Sequence, residues 1–174
     1  MRIPLLCLLL LPLVANAAPL QCRVTAITDG DTLACFDPER RKVEKIRLRG
    51  IDAPEKKQPF GQRSKQNLSD LVYGKPVTVK WDKRDRWGRI IGTVWAAPAD
   101  CPSCGHTLDA GRAQLASGMA WWFRRYANEQ PREERGAYEF EEGEAKARRT
   151  GLWRDPEPVA PWAWRKKPPP TARQ

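Results

Sequence analysis

Three short polar segments hold the side chains of this sequence that are best suited to chemistry. They are Asp29–Thr32, Arg47–Glu55 and Asp85–Arg89. Their aspartates are the oxygen ligands that a hard divalent cation prefers, and their arginines can bind phosphate oxygens through two parallel hydrogen bonds. A further carboxylate could activate water. Together the segments predict metal-assisted cleavage of a phosphodiester.

The individual charged residues can each be given a role in that chemistry. Asp31 and Asp52 come from separate segments, and two carboxylates with backbone carbonyls and water would complete a site for Ca²⁺. Glu55 follows shortly after Asp52, where it would be free to position or deprotonate water. Arg47 and Arg89 would bind the phosphate and stabilise the charge that grows in the transition state.

The same residue types also have plainer interpretations, which the sequence leaves open. Asp29–Asp31 could form an ordinary hairpin turn. Glu55 could be an acid at a helix N-terminus or a solvated surface charge. An arginine on a strand can simply face the solvent, and we expect this for Arg49.

One geometric point bears on the choice between these interpretations. Strict alternation along a strand would place Arg47 and Asp52 on opposite faces, because the two positions are five apart, an odd difference. A bend or bulge at Gly50 would bring them together.

The composition narrows the chemistry further. The only histidine is His106, which disfavours nucleases that rely on histidine and leaves too few ligands for a zinc site. The 31 Lys and Arg residues against 21 Asp and Glu give a formal net charge of +10, which favours polyanionic partners such as nucleic acid or an anionic membrane surface. A length of 174 residues indicates one domain.

The N-terminal residues are typical of an export signal and not of a folded domain. Ile3–Val14 is almost wholly apolar, follows the positive Arg2 and precedes Ala15–Ala17, a small-x-small cleavage pattern. This apolar run is shorter than the roughly 20 residues that a membrane-spanning helix needs. We therefore expect residues 1–17 to be removed, leaving a secreted or periplasmic protein without membrane insertion.

Four cysteines would remain after that cleavage, and an even number in an exported chain indicates disulfides. Cys22 and Cys35 flank the Asp29–Thr32 turn, so a bridge between two hairpin arms would be possible if the register allows it. Cys101 and Cys104 form a CxxC pair that could be redox-active, half of a zinc site or a small disulfide. We favour the disulfide because neither a thioredoxin-like pattern nor a full zinc ligand set is present.

The elements that must position these residues follow from apolar spacing and turn signals. Alternation predicts five strands, at Cys22–Thr28, Thr32–Asp37, Val43–Ile51, Val77–Trp81 and Arg89–Trp95. Helical spacing predicts three helices, at Gly61–Tyr73, Leu108–Ser117 and Ala137–Arg149. This order predicts an α+β, mainly β fold: a five-stranded OB-fold Greek-key barrel with three helices. Residues 18–155 would form this domain, and residues 156–174 a Pro-rich basic tail with neither helix nor central strand.

The polar segments closely resemble, in order and spacing, the active-site segments of the thermonuclease family, whose best known member is staphylococcal nuclease. The similarity runs from about Cys22 to Trp164 and includes two later segments, Gly118–Trp122 and Gly151–Trp153. The resemblance implies an OB-fold barrel and Ca²⁺-dependent hydrolysis of DNA and RNA that leaves 3′-phosphate ends. We expect a monomer.

The resemblance also implies a role for the acidic positions. Asp31 and Asp52 would bind Ca²⁺ through their carboxylates and Ala53 through its backbone carbonyl, with Asp29 close by through water. Glu55 would orient or deprotonate the attacking water. Ala53 replaces a threonine of staphylococcal nuclease, which should spare the carbonyl ligand and remove a hydroxyl.

Phosphate and substrate contacts are implied in the same way. Arg47 and Arg89 would clamp the phosphate, with Arg89 near the leaving 5′ oxygen. Trp87, which replaces a tyrosine, and Tyr126 would contact the substrate. Arg124 replaces another nucleotide-contacting tyrosine, so base preference and affinity should differ more than the chemistry.

Two other functions remain open from the sequence. The chain could be a non-catalytic OB-fold module that binds nucleic acid without cutting it, or an interaction protein that acts through its Pro-rich tail. Family members that lost activity lack the metal or arginine positions. Those positions are all occupied here, so the nuclease interpretation is favoured.

Overall fold

The computed structural model describes residues 18–166, and the predicted signal peptide (1–17) and residues 167–174 of the predicted tail lie outside the described residues. Within this part of the chain the strands are β1 (Leu20–Ile27), β2 (Thr32–Asp37), β3 (Lys42–Leu48), β4 (Ile51–Asp52), β5 (Pro76–Arg84), β6 (Ile90–Ala96), β7 (Leu108–Asp109) and β8 (Trp121–Trp122). The helices are α1 (Gly61–Val72), α2 (Ala110–Ala116), α3 (Arg132–Ala147) and α4 (Pro161–Trp164), with 3₁₀ helices at Arg124–Glu129 and Gly151–Arg154.

Strands β1, β2, β3, β5 and β6 close into a barrel. β1 pairs antiparallel with β2 and β5, β2 with β3, and β5 with β6. The barrel closes where β3 runs parallel to β6, with Arg47 opposite Ile91. Helices α1 and α2 pack on the barrel, and α3 packs on α2. The predicted OB-type barrel of an α+β fold is therefore confirmed.

The interior of the barrel is apolar because inward and outward positions alternate along each strand. On β1, Leu20, Cys22 and Val24 are buried while the residues between them are exposed. Helix α1 adds Leu68 and Val72, which are completely buried. The strands that carry the polar segments are therefore fixed by a tightly packed apolar core.

The third helix is longer than predicted. It begins at Arg132 instead of Ala137, because Pro131 precedes it and two acids, Glu133 and Glu134, occupy its first turn. Negative side chains there interact favourably with the positive end of the helix dipole. No helix within residues 18–166 is both long and apolar enough to cross a membrane.

The tail contains a helix, so the expectation that it forms none is wrong. α4 is a single turn over Pro161–Trp164, and Pro161 stands at its start. Proline is tolerated at the first helical position because the N–H that it lacks would have no partner there. The argument against a helix holds only for prolines in a helix interior.

Arg49 is not the solvent-facing strand arginine that the sequence predicted. Its exposed fraction is 9%, and its guanidinium pairs with Asp82 and donates to the carbonyl of Ile91 at 3.3 Å. The backbone N–H of Arg49 donates to the carbonyl of Gly92 at 2.9 Å, so the chain still follows β6 after β3 has ended. This continued pairing holds the side chain against the barrel wall.

Both predicted disulfides are present. Cys22–Cys35 joins β1 to β2 across a Cα–Cα distance of 5.7 Å, and both residues are buried. Cys101–Cys104 closes a short loop between β6 and β7, where Cys104 is exposed. The CxxC pair thus forms the small disulfide that we favoured.

The two disulfides should differ in their contribution to stability. Replacing Cys22 and Cys35 together by alanine should lower the free energy of unfolding by about 3 kcal/mol, because their bond closes a loop with a sequence separation of 13. The matched control replaces Cys101 and Cys104, whose sequence separation is 3, and should lose clearly less. Urea unfolding of both double variants measures the difference, and equal losses would contradict the prediction.

Candidate active site

The first polar segment forms the turn between β1 and β2, and it lies directly beside the end of β3. Thr32 is the register partner of Arg47, and the N–H of Leu48 donates to the carbonyl of Asp31 at 2.8 Å. Gln114 of α2, which is completely buried, donates to the carbonyl of Gly30 at 2.6 Å. The turn is therefore fixed from both sides, and Gln114 is a support that no motif in the sequence indicated.

The second polar segment bends sharply between β3 and β4. Gly50 adopts the left-handed conformation with φ of +75°, and its carbonyl accepts a hydrogen bond from Phe123 at 2.8 Å. β4 then pairs with β8, with Asp52 opposite Trp121. The bend at Gly50 brings Arg47 and Asp52 together, with Nη2 of Arg47 3.0 Å from Oδ1 of Asp52.

Replacing Gly50 by alanine should destabilise the fold at this bend. The left-handed conformation costs an L-residue about 1–2 kcal/mol, and the new Cβ would lie 2.2 Å from Nε2 of the buried Gln130. Overpacking of that kind costs about 1–3 kcal/mol more. The control is Gly74→Ala, which has φ of +73° and no neighbour within 4 Å. Denaturant unfolding should show the larger loss for Gly50→Ala, and equal losses would rule out the contact with Gln130 as a cause.

Arg47 is the shared counterion of two buried carboxylates. Its Nη1 lies 2.9 Å from Oδ2 of Asp31, and its Nη2 pairs with Asp52; the exposed side-chain fractions are 14%, 8% and 2%. Nη1 also donates to the carbonyl of Ile51 at 3.0 Å. These bonds fix the guanidinium at the mouth of the turn, between the two acids predicted to bind a metal.

Asp31 is held by hydrogen bonds from its neighbours as well. Its Oδ2 accepts the backbone N–H of Ala53 at 2.7 Å, and its Oδ1 accepts the hydroxyl of Thr32 at 2.9 Å. Its own N–H donates to Oδ1 of Asp29 at 3.1 Å. Asp29, Asp31, Asp52 and Ala53 are therefore brought into one small region, as the sequence predicted.

The crowding of acids in this region changes their proton affinities. Burial, followed by the negative charge of Asp31, raises the pKa of Asp29 to about 6. Burial also raises the pKa of Asp52, and hydrogen bonds and charge from Arg165 and Arg47 offset part of that rise. In both acids burial, with the charge of Asp31 beside it, disfavours the negative form, and a bound cation would offset that cost.

The donors of this region suit a hard cation. Among residues 18–166 no group of three or more His, Cys, Asp or Glu side chains could hold a metal ion, and the predicted site uses two, Asp31 and Asp52, with the carbonyl of Ala53. All of these donors are oxygens, and the acids are buried and crowded. Oxygen-only, negatively charged sets of this kind fit Ca²⁺ or Mg²⁺ and not zinc.

Glu55 lies at the edge of the same region, but a residue from the other end of the chain binds it. Oε1 of Glu55 accepts a hydrogen bond from Nη1 of Arg165 at 2.6 Å, and Nη2 of Arg165 lies 2.7 Å from Oδ2 of Asp52. The Glu55 side chain is 40% exposed. Sequence reasoning missed Arg165, since the basic composition of the tail was the only sign of it.

Arg89 lies on the same outer face as Arg47 but has a different partner. Ile91 of β6 is the register partner of Arg47. Arg89 stands two residues before Ile91, just before β6 begins, so strand alternation places it on the same face. Nε of Arg89 donates to Oδ2 of Asp85 at 2.7 Å, and its N–H donates to Oδ1. The structure thus pairs Arg89 with Asp85 within the β5–β6 hairpin, whereas Arg47 pairs with Asp31 and Asp52.

The two residues predicted to contact substrate are both exposed. Trp87, at the tip of the β5–β6 hairpin, is 66% exposed, and the guanidinium of Arg89 lies 5.1 Å from its ring centre. Tyr126, in the first 3₁₀ helix, is 44% exposed, and its ring packs edge-on against Phe123 at 5.1 Å. Both rings are therefore accessible to a ligand.

Comparison with known proteins identifies relatives of this chain. The family model described as "Staphylococcal nuclease homologue" matches residues 45–155. A protein of Escherichia coli named an uncharacterized endonuclease is 38% identical over 148 residues, which cover 85% of this chain and 86% of that protein. The micrococcal nuclease of Shigella flexneri is 39% identical over 145 residues, 82% of this chain and 79% of that one. A probable staphylococcal-like nuclease of Oryza sativa is 35% identical over 136 residues, 77% of this chain and 32% of that one.

Proposed function

The chain belongs to the staphylococcal nuclease homologue family, and we propose that it is an exported nuclease that uses Ca²⁺ to hydrolyse phosphodiester bonds of DNA and RNA. The observation that supports this most directly is the cluster of Asp31 and Asp52 around Arg47, with Glu55 at its edge. The cluster joins the acids of a metal site to a phosphate-binding group and a water-activating carboxylate.

The acids of the cluster would hold the ion. Asp31 and Asp52 would bind Ca²⁺ through carboxylate oxygens and Ala53 through its carbonyl, while Asp29 would act through water. When bound, the ion would supply Lewis-acid polarisation of a phosphoryl oxygen. The N–H of Ala53, which donates to Asp31 at 2.7 Å, keeps the Asp31 carboxylate in place for this role.

The remaining residues would act on water and on the phosphate. The carboxylate of Glu55 would accept a proton as the water oxygen attacks phosphorus. The bond from phosphorus to the 5′ oxygen would break, and this oxygen would take a proton from solvent water and leave as a hydroxyl. Arg47 and Arg89 would bind non-bridging oxygens and stabilise the charge that develops, with Arg89 near the leaving oxygen. The products would carry 3′-phosphate ends.

The cellular compartment and the oligomeric state of the protein are part of the same proposal. Two disulfides within residues 18–166 favour an oxidising compartment, which suits a secreted or periplasmic protein. We propose that the mature chain acts as a monomer, since one copy of the chain supplies all the residues assigned above. The basic charge of the chain favours capture of a polyanionic substrate.

Degradation of single-stranded DNA and of RNA by the chain from Ala18 onward tests the proposal. Cleavage is expected with Ca²⁺ and should stop when a chelator is added, with 3′-phosphate ends on the products. DNA that is bound but left intact by the folded protein in Ca²⁺ would instead identify a non-catalytic binding module. Cleavage that survives the chelator would refute the role of the metal.

A further inference from the structure

The C-terminal arm, residues 156–166, lies over the acidic cluster and places a positive charge on it. Arg165 follows α4 directly and is bonded to Asp52 and Glu55, more than 100 residues earlier in the chain. Glu55 has a 40% exposed side chain and Asp52 only 2%. The guanidinium therefore reaches from the surface into a buried position.

Packing of aromatic and polar groups holds the arm in this place. The Trp162 ring stacks on Phe123 with centroids 5.4 Å apart and meets Trp121 edge-on at 5.6 Å. Nε2 of Gln58 donates to the carbonyl of Val159 at 2.6 Å. The position of Arg165 is therefore fixed by the arm as a whole and not by its ion pairs alone.

The hydrogen bonds of Asp52 leave little room for another cation. Its Oδ1 accepts from Arg47 at 3.0 Å and from Arg165 at 3.3 Å, and its Oδ2 accepts from Arg165 at 2.7 Å. A carboxylate offers about four acceptor positions. A Ca²⁺ ion would bind at roughly 2.3–2.6 Å from these oxygens, beside the guanidinium, and the two positive charges would repel each other.

The same guanidinium also works against Glu55 as a base. Nη1 of Arg165 donates to Oε1 of Glu55 at 2.6 Å, so a hydrogen-bond donor already occupies an oxygen with which Glu55 would meet the attacking water. The alternative interpretation, that Arg165 positions Glu55 for catalysis, is therefore the weaker one. One side chain occupies the acid assigned to the metal and the acid assigned to water at the same time.

We propose that Arg165 is an autoinhibitory latch, which competes with the divalent cation for Asp52 and must leave the cluster before the site becomes active. The inference rests on the proposed role of Asp52 as a Ca²⁺ ligand. Because linkage is reciprocal, a latch that weakens Ca²⁺ binding must itself be weakened by Ca²⁺. The latch would keep the nuclease inactive where the free cation is scarce.

Calorimetric titration with Ca²⁺ tests the competition without an activity assay. Arg165→Gln should bind Ca²⁺ at least about fivefold more tightly than the wild type. The matched control is Lys166→Gln, which removes the same charge from the adjacent exposed residue and should stay within about twofold of the wild type. Thermal unfolding of both variants verifies that they are folded.

The outcomes separate the latch from the function on which it rests. If all three proteins bind Ca²⁺ with equal affinity, the latch is wrong and the metal proposal stands. If none of them binds Ca²⁺, the proposed cofactor is wrong, and the proposal that Arg165 competes with it is wrong as well. Tighter binding by Arg165→Gln alone supports both.

Hydrogen exchange of the arm gives an independent measurement. The amide groups of Ala163 and Trp164 donate to the carbonyl of Ala160 and that of Arg165 donates to Pro161. These bonds form the single turn of α4, which is too short to persist when it is undocked. Addition of Ca²⁺ to the wild type should therefore speed exchange in residues 161–166 and leave α3 unchanged. Unchanged exchange of the arm with Ca²⁺ bound would overturn the proposal.

Discussion

Replacing Glu55 by glutamine is expected to slow phosphodiester hydrolysis by roughly 10²–10⁴-fold, the contribution typical of a general base. Glutamine keeps the shape of the side chain and its hydrogen-bonding oxygen but cannot accept the proton. Stability should change by less than about 1 kcal/mol, because the pair with Arg165 is partly exposed on both sides. Turnover of single-stranded DNA at saturating Ca²⁺, together with thermal unfolding, measures both effects.

Glu129→Gln is a suitable control for this experiment. Glu129 is 38% exposed and pairs with Lys83 at 2.7 Å, which closely matches the exposure and pairing of Glu55. Both changes remove one negative charge and one ion pair, but only Glu55 adjoins the aspartates. Full activity in Glu55→Gln, or an equal loss in Glu129→Gln, would show that Glu55 is not the base.

Much of the site could be predicted because its parts are local in sequence. The Asp-Gly turn at Asp29–Thr32 joins two alternating strands, so the hairpin and its acids follow from a few neighbouring residues. The bend at Gly50 was likewise indicated by one glycine in an alternating run. These short-range signals are sufficient to bring Asp31, Arg47 and Asp52 together.

The features that could not be predicted depend on contacts distant in sequence. Arg49 is buried because β3 is followed by pairing with β6, and its partner Asp82 is 33 residues away. Arg165 reaches Asp52 only because Trp162 docks on Phe123 and Trp121. Apolar alternation and secondary-structure propensity carry no information about such pairs. The many prolines of the tail led to the prediction that it forms no helix, which is wrong.

The two arginines assigned to the phosphate should respond to substitution in different ways. Arg47→Ala and Arg89→Ala should each cost about 2.7–4 kcal/mol of transition-state stabilisation, the scale for loss of one charge-stabilising donor. Their effects on folding should diverge. Arg47 balances two buried acids, Asp31 and Asp52, so its loss should cost about 3–5 kcal/mol of stability. Arg89 pairs with Asp85 inside an exposed hairpin, where about 0–1 kcal/mol is expected.

Unfolding measurements at several pH values and Ca²⁺ concentrations separate the two effects of Arg47→Ala. Without its guanidinium the pKa of Asp52, already raised by burial, should rise further. An acid whose pKa is higher in the folded state destabilises the fold above that pKa. The stability penalty should therefore be largest above the raised pKa of Asp52 and shrink as the pH falls through it. Ca²⁺ should restore stability to Arg47→Ala more than to Arg89→Ala, because the ion would replace the missing positive charge between Asp31 and Asp52. Equal responses of the two variants to pH and Ca²⁺ would mean that Arg47 is not the counterion of the cluster.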